Sequence, residues 1–390
     1  MMGGPRPSRL AGLAGIGVDQ MGSRADTFSG TDVLRLENLD TDVRPNPAAV
    51  AATQAAIADD KNNSYLPFVG QLRLRQAVAR HVSRLSGVSY SGERNVLISA
   101  GGLSGILNVL LATIGAGDEV VLTDPTYVGL INRVRLAGGV PRLVPFARSG
   151  REWVLDRDAL QQAVTGKTRA FLLMSPSMPS GGYLGPEDWE AVATLVRERQ
   201  VWLINDAAME RILFDGRPLI SPASLPVMAD YVITVGTASK ELRMIGWRVG
   251  WIVAPDRLMP DLALVSMGNV VVPVGIGQEG VAVALELGDA DVAAATKIWE
   301  ARRDVLLAEL EGLPVVRPAG GWSLLLDGTE LGMTGAAMSE RLLMDAHVAA
   351  TPMDGWGVRH GPQHLRFVFA NEPVERLTGI GPRIRRALGV

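Results

Sequence analysis

The 390-residue chain has no cysteine, which excludes disulfides, thiolate metal sites and cysteine nucleophiles and fits a cytoplasmic protein. It has no excess of one charge either. With 38 Lys+Arg against 41 Asp+Glu, a formal net charge of −3 offers no basic field for nucleic acid or an anionic membrane. No apolar run approaches the ~20 residues a membrane helix needs. The apolar residues 10–18 follow Arg6 and Arg9 in the manner of a signal peptide. Gly12, Gly15 and Gly17 interrupt the run and no Ala-x-Ala site follows, so it reads as a flexible arm.

Four ligand motifs are begun and not completed. Gly166-Lys167-Thr168 would end a P-loop, but its first glycine falls at Gln161. Residues 275–280 spell GxGxxG, yet a long helical pattern follows without the returning strand of a dinucleotide unit. Gly361-Pro362 keeps His360 and His364 off a common helix, so no metal pair is expected. Gly102-Leu103-Ser104-Gly105-Ile106 lacks the last glycine of a hydrolase elbow.

What is present is an ordinary globular composition, 47% hydrophobic and 20% charged, long enough for two domains. Between residues 95 and 254 short apolar runs alternate with helical stretches, the pattern of a mostly parallel sheet wrapped by helices. Seven strands are expected, near residues 96–99, 120–123, 141–144, 170–174, 201–205, 231–235 and 250–253. A helix is expected from residue 72, with Leu72, Ala77, Val78 and Val82 on its apolar face. Beyond about residue 272 the pattern becomes α+β, beginning with one long helix over residues 278–310. The expected division is an arm and part of the small domain over 1–46, a large domain over 47–275 and a small domain over 276–390.

The chemistry centres on residues 234–255. The β-branched run YVITV empties through Gly236 into a loop carrying Lys240, beyond a strand's carboxyl end, where functional residues of open α/β sheets gather. A lysine in a loop is ordinarily a solvated charge. This one follows Thr237-Ala238-Ser239 and precedes Arg248, which lies in an apolar stretch where a buried arginine needs an anion. Gly101-Gly102 joins a strand to a helix, either as plain geometry or as an anion cradle on the helix N-terminus. Asp206 ends the apolar run VWLIND and either meets a cation there or caps a turn. Tyr127 follows Asp124-Pro125-Thr126 at another strand end, and Arg366 sits on the alternating strand HLRFVF, facing solvent or an anion.

Thr237-Ala238-Ser239-Lys240 followed by Gly246-Trp247-Arg248-Val249-Gly250 resembles the lysine motif of class I/II aminotransferases, the fold-type I enzymes of pyridoxal 5′-phosphate (PLP). The resemblance spans roughly residues 36–366 with the motifs in family order. It implies an α/β fold, with the seven-stranded sheet and its helices as the PLP-binding domain beside the smaller α+β domain. Lys240 is then the Schiff-base lysine and catalytic base, and Gly102, Leu103, Ser104, Thr237, Ser239 and Arg248 hold the phosphate. Tyr65, in NNSYLPFVGQLR, would reach the phosphate of a partner subunit, which implies a homodimer with shared sites. Tyr127 would stack on the pyridine ring, Asp206 would hold its nitrogen protonated, and Arg366 would bind the substrate α-carboxylate near Asn38, where the family usually has glycine.

Two further positions depart from the family pattern. Met178 replaces the asparagine of its Asn-Pro-x-Asn-Pro loop, and Met209 replaces the tyrosine of Asp-x-x-Tyr, so both donors to the cofactor's phenolic oxygen are missing. The linkage between Lys240 and the cofactor is therefore expected to stay protonated at neutral and higher pH. The resemblance implies transamination between an α-amino acid and an oxo acid. The missing donors motivate an alternative, PLP-dependent elimination, replacement or ring formation on an amino-acid side chain. A non-catalytic effector domain is disfavoured by the retained Lys240 and Asp206.

Overall fold

The computed structural model describes residues 7, 10, 12–28 and 30–390; residues 1–6, 8, 9 and 11 of the expected arm, and residue 29, lie outside the described residues. Eight strands form one sheet. Their order is Val96–Ser99, Gly250–Val253, Val232–Thr237, Trp202–Asp206, Thr168–Leu173, Glu119–Asp124, Val140–Ser149 and Glu152–Leu155. From Val232–Thr237 across to Val140–Ser149 every neighbouring pair is parallel. Gly250–Val253 runs antiparallel to both its neighbours.

All seven expected strands are present, and the eighth is a hairpin. Val140–Ser149 continues past the expected end at residue 144, turns at Gly150 with φ 59°, and pairs antiparallel with Glu152–Leu155. In that last strand Trp153 and Leu155 are buried while Val154 is exposed, a period-two pattern that four residues are too few to announce.

The register brings the carboxyl ends together. Asp124, Asp206 and Thr237 close parallel strands at one edge of the sheet, and Gly250 opens its strand beside both Ser99 and Thr237. The Gly101-Gly102 turn, the Lys240 loop and Arg248 therefore converge on that edge. Val232–Thr237 is buried along its whole length, and its β-branched residues suit a strand covered on both faces.

A second, antiparallel sheet runs in the order Val315–Val316, Ser323–Asp327, His364–Val368 and Thr351–Pro352. Leu34–Arg35 pairs in parallel with Val348–Ala349, so the N-terminal segment joins the C-terminal part of the chain. One apolar core crosses between the sheets, with Phe146, Trp153 and Met178 in the same cluster as Trp322, Trp356 and Phe367.

Two helical expectations change. The single helix over 278–310 is two, Gln278–Glu286 and Ala290–Glu309, parted at Gly288 with φ 79°, a backbone conformation glycine adopts without strain. In the helix Leu72–Ser86 the buried face is Leu74, Ala77, Val78 and Val82. Leu72, at the first turn, is 43% exposed. Among the described residues no helix is long and apolar enough to cross a membrane, and no cluster of three or more His, Asp or Glu could hold a metal.

Candidate active site

At the carboxyl edge of the large sheet lies a cavity of about 270 Å³. Lys240 reaches it from the loop after Val232–Thr237. Its Nζ donates to the carbonyl of Leu39 at 2.8 Å and lies 4.9 Å from the centre of the Trp322 ring. Burial lowers its pKa to about 7, assisted by the positive charges of Arg366 and Arg248 and opposed by Asp40. The amine is thus available as a base or nucleophile near neutrality.

Asp206 ends its strand 7% exposed, with Oδ1 accepting from the Ala208 amide at 3.2 Å. Burial pushes its carboxyl up to about 6, against that hydrogen bond and the charge of Arg133. A carboxylate this deep, with one donor among the described residues and a cavity in front of it, suits a cationic N–H from a ligand.

On the third side the Gly101-Gly102 turn opens the helix Gly102–Thr113. A Cβ at Gly101 would stand 2.5 Å from Nη2 of Arg248, and one at Gly102 would stand 3.2 Å from Cβ of Thr237. Glycine lets the backbone come this close, so the free N–H groups of the helix, the Thr237 and Ser239 hydroxyls and the Arg248 guanidinium surround one small volume. The hydroxyls of Thr237 and Ser239 are bonded to each other at 3.0 Å, and Nη1 of Arg248 donates to Ser239 Oγ at 3.4 Å and to the Ile245 carbonyl at 2.8 Å. A phosphate dianion fits this cradle.

Arg248 is not buried as its apolar neighbours suggested. It has φ 53° and is exposed at the rim, because it caps the short turn Ile245–Trp247 in the left-handed region, past Gly246, which has no side chain to cover it.

Arg366 supplies a second anion site. The residue is 1% exposed and Nη2 donates to the Glu37 carbonyl at 2.6 Å and Thr351 Oγ1 at 3.3 Å, but among the described residues Nε has no partner and Nη1 faces only the Met178 thioether at 4.0 Å. Its guanidinium lies 4.8 Å from the centre of the Trp356 ring, and burial lowers its pKa to about 10. An unsatisfied buried guanidinium facing a cavity calls for a carboxylate. Tyr127 crosses Trp356 edge-on, with ring centres 5.3 Å apart, and forms part of the cavity wall.

Of the residues singled out in the sequence, Asn38, Gly102, Leu103, Tyr127, Met178, Asp206, Met209, Thr237, Ser239, Lys240, Arg248 and Arg366 line this one cavity. Ser104 stands in the first turn of the helix without lining it, and Tyr65 is 85% exposed on the outside of the chain. Met178 and Met209 are both buried in the wall. Sequence reasoning missed the Leu39 carbonyl, Trp322, Trp356 and the N-terminal residues Ile16, Val18 and Asp19. A backbone carbonyl carries no side-chain signal, and the others belong to none of the motifs.

The match to known proteins covers nearly the whole chain. Residues 32–380 match the family "Aminotransferase class I and II". An arginine–pyruvate transaminase of Pseudomonas aeruginosa is 33% identical, over 88% of each chain, and an aspartate/prephenate aminotransferase of Thermus thermophilus is 31% identical over 92% of each. The solved N-succinyldiaminopimelate aminotransferase of Mycobacterium tuberculosis superposes with a TM-score of 0.90 at 30% identity, covering 99% of this chain and 100% of that one.

Proposed function

The chain belongs to the class I and II aminotransferases, PLP-dependent enzymes that exchange an amino group between an amino acid and an oxo acid, and from that premise we propose how its own residues divide the work. The observation that carries the reading is a single cavity holding a lysine amine with a pKa of about 7, a carboxyl with one of about 6 and an under-bonded buried guanidinium. PLP, when bound, supplies an electron sink for the charge that develops at the substrate Cα. Asp206 holds a proton on the ring nitrogen, which keeps that sink strong. The helix N-terminus with Thr237, Ser239 and Arg248 holds the phosphate, and Tyr127 limits the tilt of the ring and excludes water from its face. Arg366 takes the α-carboxylate and so fixes which hydrogen on Cα faces Lys240. Lys240 Nζ removes that proton and returns it, a role favoured by a pKa close to the working pH.

The reading includes a homodimer. Tyr65, Phe68 and Leu72 are exposed by 85%, 46% and 43%, and the nearby Val271 and Val274 by 41% and 42%. The segments that carry these exposed apolar side chains adjoin, since Gly275 approaches Asn62 and Leu66. A second copy covering them would bring Tyr65 to the neighbouring phosphate cradle.

The elimination and ring-forming alternative is not favoured, since the relatives are aminotransferases. Those relatives differ in substrate, so kinship does not fix the side chain. Holoenzyme mixed with an amino acid and no acceptor is expected to release one equivalent of oxo acid per subunit and stop until an oxo acid is added. Continuous release of ammonia or side-chain fragments without an acceptor would overturn transamination.

A further inference from the structure

Among the described residues, five charged ones line the cavity: Asp19, Asp206, Lys240, Arg248 and Arg366. The last four are committed by geometry to the ring nitrogen, the transferred proton, the phosphate and the α-carboxylate. Asp19 is left over. It makes no hydrogen bond or ion pair with any described residue, it is exposed, and it stands close enough to Tyr127 for its charge to act on that phenol.

Its position is built. The Asn132 amide clamps Ala14 from both sides, donating to the Ala14 carbonyl at 2.8 Å and accepting from the Ala14 N–H at 3.2 Å, and Trp356 Nε1 donates to the Ile16 carbonyl at 3.3 Å. Gly17, at φ 77°, then turns the chain into the helix Val18–Asp26, which buries Met21 and Ala25 and leaves Asp19 on the face towards the cavity. The same lining includes the apolar side chains of Ile16, Val18, Leu39 and Ile245.

Resting on the aminotransferase reading, we propose that Asp19 selects the substrate, and that the enzyme acts on α-amino acids whose side chain is an aliphatic stem ending in a cation, a guanidinium or an ammonium. The stem packs on the apolar wall while the terminal N–H groups meet the carboxylate, and Arg366 at the other end holds the α-carboxylate. A substrate with a second carboxylate meets Asp19 as a like charge, and no uncommitted cation among the described lining residues receives it.

The first measurement is calorimetric binding to the holoenzyme of 5-guanidinopentanoate against hexanoate, two carboxylic acids that have no α-amino group and so cannot react. The guanidino acid is expected to bind about tenfold more tightly, and Asp19→Asn is expected to erase the difference while leaving hexanoate unchanged. Equal binding of the two acids by the wild type, or a preference that survives Asp19→Asn, overturns the proposal. The second measurement compares kcat/KM for arginine, lysine, norleucine and glutamate. Arginine and lysine are expected to lead, with Asp19→Asn lowering them about tenfold through KM while norleucine stays within about twofold. Turnover led by norleucine or glutamate overturns the substrate class and leaves the aminotransferase reading standing. Cation-selective binding with no turnover of any amino acid overturns that reading and leaves Asp19 as the selector.

Discussion

On the proposed reading Lys240 carries two demands at once, because the amine that joins the cofactor must also move a proton. A pKa of about 7 meets both, and burial between Trp322 and the Leu39 carbonyl sets it. The rate at which cofactor-free protein takes up PLP is therefore expected to rise about tenfold per pH unit below pH 7 and to level off above it, since only the neutral amine attacks and the folded pKa lies below that of a free lysine. A rise continuing to pH 10, followed in the cofactor's absorbance, would show a solvated lysine instead. Asp206→Asn removes the group proposed to hold the ring nitrogen protonated, and kcat/KM is expected to fall about 10²–10³-fold with PLP still bound. Met178 and Met209 offer no donor to the phenolic oxygen, so the Lys240 linkage should remain protonated to well above pH 7. Met209→Tyr restores a donor and is expected to lower that titration by about one unit, read from the pH dependence of absorbance. Most side chains of the site were legible because each is a charged, hydroxyl or glycine residue where an apolar strand ends. What was not legible at this scale was the setting: the Leu39 carbonyl under Lys240, the tryptophans beneath both cations, and the exposure of Arg248, which follows from a left-handed φ that no neighbouring residue type announces.

Between elements, the loop that carries Trp356 is tied to the large sheet by one carboxylate. Asp124, at the end of its strand and 2% exposed, accepts the backbone N–H groups of Val358 and Arg359 at 2.8 Å each and of His360 at 3.2 Å, while Thr126 N–H donates to the Trp356 carbonyl at 2.8 Å. Trp356 in turn faces Arg366 and Tyr127, so the clamp holds the wall of the substrate site. Asp124→Ala removes three hydrogen bonds to a buried carboxylate and is expected to cost about 3 kcal/mol of stability by denaturant unfolding. In the material that stays folded KM should rise more than kcat falls, because the reacting groups around Lys240 are untouched. An unchanged KM would show that the loop is held by its other contacts. The same clamp marks the limit of what sequence shows of the elements. The seven apolar runs were legible as strands, and the inner parallel ones most plainly, since a strand covered on both faces reads as continuous hydrophobicity. The hairpin strand Glu152–Leu155 and the break at Gly288 were not, being short; that the N-terminal segment joins the small domain was expected, but not that Leu34–Arg35 pairs with Val348–Ala349, a contact made across most of the chain.

At the scale of the whole molecule, the phosphate cradle of one chain lies open at the Arg248 rim, and the tyrosine expected to complete it points outward from the same chain at 85% exposure. A tyrosine so exposed, like Phe68, Leu72, Val271 and Val274, gains nothing within its own subunit, and burial against a second copy is what their exposure favours. If the sites are shared, damage to Lys240 and damage to Tyr65 fall on different sites of one dimer. Lys240→Ala is expected to be inactive, and Tyr65→Ala to bind PLP about tenfold more weakly through the loss of one hydrogen bond to the phosphate. When the two variants are unfolded together and refolded, the mixed dimer combines both lesions in one site and leaves the other with an intact lysine and an intact tyrosine. At PLP concentrations too low to saturate Tyr65→Ala, activity should therefore exceed that of the two variants refolded separately and summed. Sites completed within one chain give no such gain, because every site then keeps one lesion whatever its partner carries. Sedimentation of the mixture at the same concentration separates this outcome from a chain that stays monomeric.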